Sequence, residues 1–116
     1  MAVLWVNDLE VAPPSELRVE LFDVGSGPVR SASGSLVSDR VAVKRRLHLK
    51  WALLSTAQMG ALLGAVNDVF FDVRYPDPMT GQRTAVCRCD EKMAGLLRMV
   101  GGEPVWVDVE MIWEER

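Results

Sequence analysis

Residues 54–75 constrain the fold most, because the hydrophobic period changes within them. Met59, Leu62, Leu63 and Val66 recur at i, i+3, i+4 and i+7, which places them on one face of a helix. Ser55, followed three residues later by Gln58, has the form of a capping box. Asn67 stands where a left-handed residue would stop the helix. From Val69 the period drops to two, so that Val69, Phe71, Val73 and Tyr75 share one side of a strand. An apolar helical stripe has to be covered, and almost everything else in the chain reads as strand.

Ala2–Val6 is a short apolar strand in which Trp5 can anchor one end, and Asn7-Asp8 is a turn signal without the usual glycine. Pro13-Pro14 sets an extended connector. In Glu16–Val24, Leu17, Val19 and Leu21 alternate with Arg18, Glu20 and Phe22, the pattern of a half-buried strand. Gly25-Ser26-Gly27-Pro28 breaks that strand, and Val29–Asp39 is small, polar and without helical period: an extended or irregular segment, read as a flexible loop over 25–39 that is either a solvated connector or a segment able to order on a neighbouring subunit. Val41–Leu53 is the longest strand, with Val41, Val43, Leu47, Leu49, Trp51 and Leu53 on the core side. Arg45 interrupts that side, and a bulge is expected there. After the helix and the strand ending at Tyr75, Pro76–Gly81 is a strong turn, with Gly81 suited to a positive φ. Arg83–Asp90 returns as the second strand of that hairpin. For Glu91–Val100 the spacing of Met93, Leu96, Leu97 and Val100 fits a short helix ended by Gly101-Gly102, and an irregular loop fits as well. Pro104–Glu114 is the last strand, with Val105, Val107, Val109, Met111 and Trp113 on one face. The order predicts a single α+β domain over residues 1–116: a mostly antiparallel β-sandwich or open barrel flanked by one helix at about 55–67.

The composition excludes several classes. No apolar run approaches the roughly 20 residues of a membrane span, and the first residues lack a signal-peptide pattern, so a cytosolic product is expected. The net charge of −3 opposes general nucleic-acid binding. No aromatic residues interleave with Lys44, Arg46, His48 and Lys50 to stack on bases. His48 is the sole histidine and sits on the basic face of a strand, where it is better read as a surface residue than a base. Asp77 and Asp90 could approach across their hairpin, without the marks of an acid–base pair. Cys87 and Cys89, one residue apart in a strand, have Cα atoms roughly 6.5–7 Å apart, the outer limit for a disulfide, and so are read as two reduced thiols. They lack a second pair to complete a metal site. No catalytic, cofactor or metal site is expected.

Charge is distributed unevenly. Arg40, Lys44, Arg45, Arg46 and Lys50 crowd one stretch; Glu103, Asp108, Glu110, Glu114 and Glu115 crowd the C-terminus. One molecule could set these strands side by side, or an oligomer could set them on opposite sides of a contact between copies.

A collinear series of residues then resembles a known group. Arg30-Ser-Ala-Ser-Gly34, Asp39-Arg40, Lys44-Arg45, Leu47-His-Leu-Lys-Trp51, Leu54-Ser55, Leu62-Leu63, Val69-Phe70-Phe71, Tyr75-Pro-Asp-Pro78 and Gly81 follow one another with few gaps, and the closing Trp106–Arg116 is similar as well. The chain resembles a family of small proteins encoded among the tail genes of long-tailed phages and prophages, with the strand order of tail-tube and distal-tail proteins. It departs from the pattern at Cys87-Arg-Cys-Asp-Glu and at Asn7-Asp8. The resemblance implies a non-enzymatic virion tail protein, present in host cytoplasm during assembly. It implies self-contacts closing a ring, hexameric by family likeness, and contacts with other tail proteins, without cofactor, membrane or specific nucleic acid. The expected subunit-interface residues are Arg30, Arg40, Lys44, Arg46, Lys50, Asp108, Glu110 and Glu114. The alternative is a small phage-encoded module that binds a host or assembly-chaperone protein through an exposed sheet edge or the Gly25–Asp39 loop.

Overall fold

The computed structural model describes residues 3–30, 36–93 and 95–116. The elements are β1 (Trp5–Val6), β2 (Leu9–Glu10), β3 (Glu16–Arg30), β4 (Leu36–Ser55), α1 (Thr56–Ala65), β5 (Phe71–Tyr75), β6 (Arg83–Met93), β7 (Leu96–Val100) and β8 (Glu103–Glu115). The strands form one antiparallel sheet in the order β2-β1-β5-β6-β8-β4-β3, with β7 pairing β8 beyond the end of β6. The sheet is not closed. The α+β class with one flanking helix is as the sequence predicts.

Local chemistry accounts for the elements. Ser55 Oγ accepts from the Gln58 amide at 3.2 Å, and Gln58 Oε1 accepts from the Ser55 amide at 3.0 Å, the reciprocal capping box. Met59, Leu62 and Val66 are buried and Leu63 is half-buried, so the predicted stripe faces β4 and β8. Ser55→Ala removes one arm of the cap and is expected to cost about 1 kcal/mol of stability in urea denaturation. The helix stops without a left-handed Asn67: Val66 closes it in a right-handed conformation (φ −99°, ψ 14°). Val69 precedes β5 and is exposed, whereas Phe71, Val73 and Tyr75 point inward as expected.

Two primed turns close hairpins. Asn7 (φ 50°) and Asp8 (φ 65°) join β1 to β2, and Gly101 (φ 59°) and Gly102 (φ 84°) join β7 to β8. Positive φ at both central positions matches the twist of the flanking strands. Residues 91–93 and 96–100 are therefore neither helix nor loop: they pair with β8 from Glu91↔Ile112 to Met93↔Glu110 and from Leu96↔Val107 to Val100↔Glu103. The helical spacing of the four apolar residues is coincidental, and the Gly-Gly pair was the hairpin signal.

The core gathers Leu4, Val6, Leu47, Leu49, Val73 and Met111 around an aromatic centre. There Phe71 meets Trp113 edge-on at 5.3 Å between centroids, and Trp51 lies 6.3 Å from Trp113. The Trp51 indole donates to the Ala12 carbonyl at 2.8 Å, which ties the segment before β3 to β4.

Facing alternation switches along a line across three strands. On β4, Trp51 and Leu54 are both buried while Leu53 between them is exposed. On β8, Val109, Met111 and Trp113 are buried, but beyond Asp108 it is Trp106 that packs on the core. Asp108 has φ 56° and Gly95 beside it has φ 82°. A left-handed residue resets which side of a strand faces in, so the single inward set predicted for each of β4 and β8 holds only on one side of this line.

β3 and β4 extend well past the body. β8 pairs β4 only from Arg46 to Ser55, and from Arg45 outward β4 pairs β3 alone. The extents of 70 × 26 × 24 Å and the radius of gyration of 17.8 Å record this arm; a compact domain of this length would have about 13 Å. The described parts of the expected 25–39 loop, residues 25–30 and 36–39, are paired strand, and the remainder lies outside the described residues. No register shift falls at Arg45; the irregularities come further out, where Val41 of β4 and then Ser26 of β3 are left without a partner in the β3–β4 register.

Candidate interaction surfaces

Arg45 keeps the register because it has a buried partner. Its side chain points inward from β4, and its Nε donates to Asp77 Oδ1 at 2.7 Å, with a longer bond from Nη2 to Oδ2 at 3.3 Å. Asp77 lies in the Pro76–Gly81 turn, closed by reciprocal backbone bonds between Asp77 and Gly81, with Gly81 at φ 86° as predicted. Its carboxylate also accepts from the Met79 and Thr80 amides, the Thr80 hydroxyl and the Tyr75 hydroxyl. Burial pushes the Asp77 carboxyl up, but the Arg45 and backbone hydrogen bonds outweigh it and bring it down to about 2. Burial, with the Asp77 charge, raises the Tyr75 phenol. The pair joins β4 to the β5–β6 turn across the inner side of the open sheet, with β6 and β8 between them in the strand order. It is structural rather than reactive: every oxygen of Asp77 is engaged, and Asp90 is elsewhere, against Arg88 at 3.4 Å.

The outer face carries the expected charges, and here the two charged margins meet within one molecule. β4 and β8 are neighbours with Arg46↔Glu114 and Lys50↔Glu110 in register. Arg46 reaches Glu114 at 3.4 Å and Glu20 at 3.0 Å and lies over the Phe22 ring at 4.8 Å; Lys50 lies 4.0 Å from Glu110. Of the two arrangements open from sequence, the intramolecular one is adopted for these four residues, because the chain makes β4 and β8 adjacent antiparallel strands. Such half-exposed pairs contribute little stability each. Asp108 is at the switch point described above. Lys44 is at the root of the arm opposite Phe22. Arg30 and Arg40 belong to the arm strands by position, and their side chains lie outside the described residues.

His48 Nε2 lies 2.9 Å from Glu20 Oε1, a contact that heads the causes holding the Glu20 carboxyl below its usual range. The imidazole borders an open groove of about 300 Å³ lined by Glu16, Arg18, Lys50, Glu110 and Ile112, not an enclosed cavity. Cys87 and Cys89 are both free thiols. Burial pushes Cys87 up to about 12 and also raises Cys89, which leaves both poor nucleophiles. Among the described residues no group of three or more His, Cys, Asp or Glu side chains could hold a metal ion, and no helix is long and apolar enough to cross a membrane.

One surface escaped the sequence reading. β5 covers β6 only as far as Cys87, so from Arg88 through β7 the strand edge has no second partner among the described residues. Along it Met93, Leu96, Leu97, Met99 and Val100 are each 55–64% exposed. Single exposed apolar residues are ordinary, but a contiguous run on an open edge marks an interaction site. Recognising Gly101-Gly102 as a hairpin turn would have paired this run with β8, although its lying on an edge depends on β5 stopping at Cys87.

Compared with family models, with curated proteins and with solved structures, the chain has no match.

Proposed function

We propose that this protein is a non-enzymatic structural component of a long-tailed phage tail, assembling through self-contacts into a ring or tube layer of the virion. The observation that carries the reading is the β3–β4 arm. A two-stranded ribbon is marginal in water on its own, and this one runs some ten residues on each strand beyond the reach of β8. Neighbouring copies would supply the surface that the body of the chain does not. The collinear likeness to tail proteins supports the same conclusion from the sequence side. Because Arg46, Lys50, Glu110 and Glu114 pair within the chain, the contact falls to the arm, where Arg30, Arg40 and Lys44 stand.

Negative-stain microscopy and sedimentation of the purified chain, alone and co-expressed with tail proteins encoded beside it, test this. Rings or stacked layers are expected. A variant in which residues 24–41 are replaced by a two-residue turn should keep its fold by circular dichroism and lose assembly. A chain that stays monomeric at high concentration even with those partners would sink the proposal. Capture of one host protein by the monomer would favour the binding-module alternative.

A further inference from the structure

We propose that the open β6–β7 edge is a self-complementary interface on which a second copy of this chain pairs antiparallel across a two-fold axis, in addition to any ring contact made by the arm. The edge offers unpaired backbone groups and the contiguous apolar run, and its charges select the occupant. Of its charged residues, Arg88 and Asp90 pair with each other at 3.4 Å, and Arg88 also reaches Glu114 at 3.5 Å. Glu91, Lys92 and Arg98 are exposed and make no ion pair among the described residues; Lys92, in register with Met111, lies on the other side of the sheet from Glu91. A two-fold axis midway between Met93 and Leu96 sets Met93 opposite Leu96 of the partner subunit. The same alignment sets Glu91 opposite Arg98 of the partner subunit, and symmetry makes each of these contacts twice.

The faces agree with that alignment. Directly opposed residues of antiparallel strands share a face. Glu91 is in register with Ile112 and His48, Met93 with Glu110 and Lys50, Leu96 with Val107 and the exposed Leu53, and Arg98 with Val105 and Ser55. His48, Lys50 and Leu53 all belong to the outer side of the sheet, so the four edge residues paired by the two-fold axis lie together on that side. The left-handed Gly95 resets the alternation between Met93 and Leu96, as Asp108 does opposite it, which is what brings both apolar residues to one face. An isologous contact of this kind pairs the patch with itself and closes at two copies.

The test is sedimentation equilibrium of the full chain over a wide concentration range, with Arg98→Glu, Glu91→Arg and the double variant. Wild type is expected to associate in multiples of two. Each single variant sets like charges opposite one another twice and should weaken the pairing roughly tenfold or more. The double variant should restore it, with circular dichroism unchanged throughout. If arm contacts also build a larger ring, loss of the two-fold pairing halves its mass without abolishing it, so failure here and failure of the ring reading are distinguishable. A monomeric wild type, or association that Arg98→Glu leaves unchanged, overturns the proposal.

Discussion

Replacing Asp77 by alanine is expected to cost about 3–5 kcal/mol of folding stability, the usual consequence of removing one partner of a buried ion pair. Both side chains are almost wholly withdrawn from solvent, with 6% of Arg45 and 0% of Asp77 exposed. Without the carboxylate the Arg45 guanidinium keeps its charge and loses its acceptor. The Tyr75 hydroxyl and the amides of Met79 and Thr80 lose theirs too. The converse change, Arg45→Met, should cost less, because four other donor groups still hold Asp77 and the Met side chain suits an apolar site. Chemical denaturation of the two single variants and the double variant measures this, and a double-mutant cycle isolates the coupling. Equal, small losses from both single changes would show that the pair does not tie the turn to β4.

The same carboxylate predicts an acid limit. Asp77 titrates at about 2 in the folded chain and near 3.9 when unfolded. Between those values the unfolded chain binds the extra proton, so stability falls as pH falls. The contribution is complete above about pH 4 and lost by about pH 2, and amounts to roughly 2 kcal/mol. In Asp77→Ala this part of the pH dependence should vanish. A variant as acid-sensitive as wild type in that window would assign the effect to other groups.

Much of this architecture was legible because it depends on near neighbours. The capping box at Ser55 and Gln58, the stripe Met59, Leu62 and Val66, the alternation of Phe71, Val73 and Tyr75, and the turn at Gly81 are short-range patterns that a sequence displays directly. What was not legible depends on which strands become neighbours. Arg45 looked like a break in an apolar face because nothing in the sequence says that Asp77, 32 positions later, arrives beside it. The charged margins suggested a contact between copies because adjacency of β4 and β8 is a property of the whole sheet. The spacing of Met93, Leu96, Leu97 and Val100 satisfied a helical template, and short apolar runs are ambiguous until a partner strand decides them. The switch of facing at Ala52–Leu53, Gly95 and Asp108 was invisible for the same reason: it appears only when three strands are laid side by side.

That switch leads to the second large effect. Gly95→Ala is expected to destabilise the protein by about 3 kcal/mol, from two costs that act together. The backbone there has φ 82°, where a side chain costs about 1–2 kcal/mol. A Cβ would also collide with the Val107 carbonyl oxygen and fall 3.1 Å from the Asp108 carbonyl, both backbone groups of the paired strand with no rotamer through which to yield. Forcing extra volume into a packed site costs a further 1–3 kcal/mol. Gly101→Ala makes the informative control: its φ of 59° is also left-handed, but nothing lies within 4 Å of an added Cβ, so it should show the conformational cost alone. In urea the midpoint for Gly95→Ala should drop by about 1–3 M, since a chain this size loses about 1–3 kcal/mol per molar urea. Hydrogen exchange should place the loosening in β7 and the paired end of β8, with α1 and the Trp51–Trp113 centre protected until global unfolding. If instead Gly95→Ala and Gly101→Ala lose the same stability, the close crossing of β7 over Val107 is not what holds the end of this sheet in place.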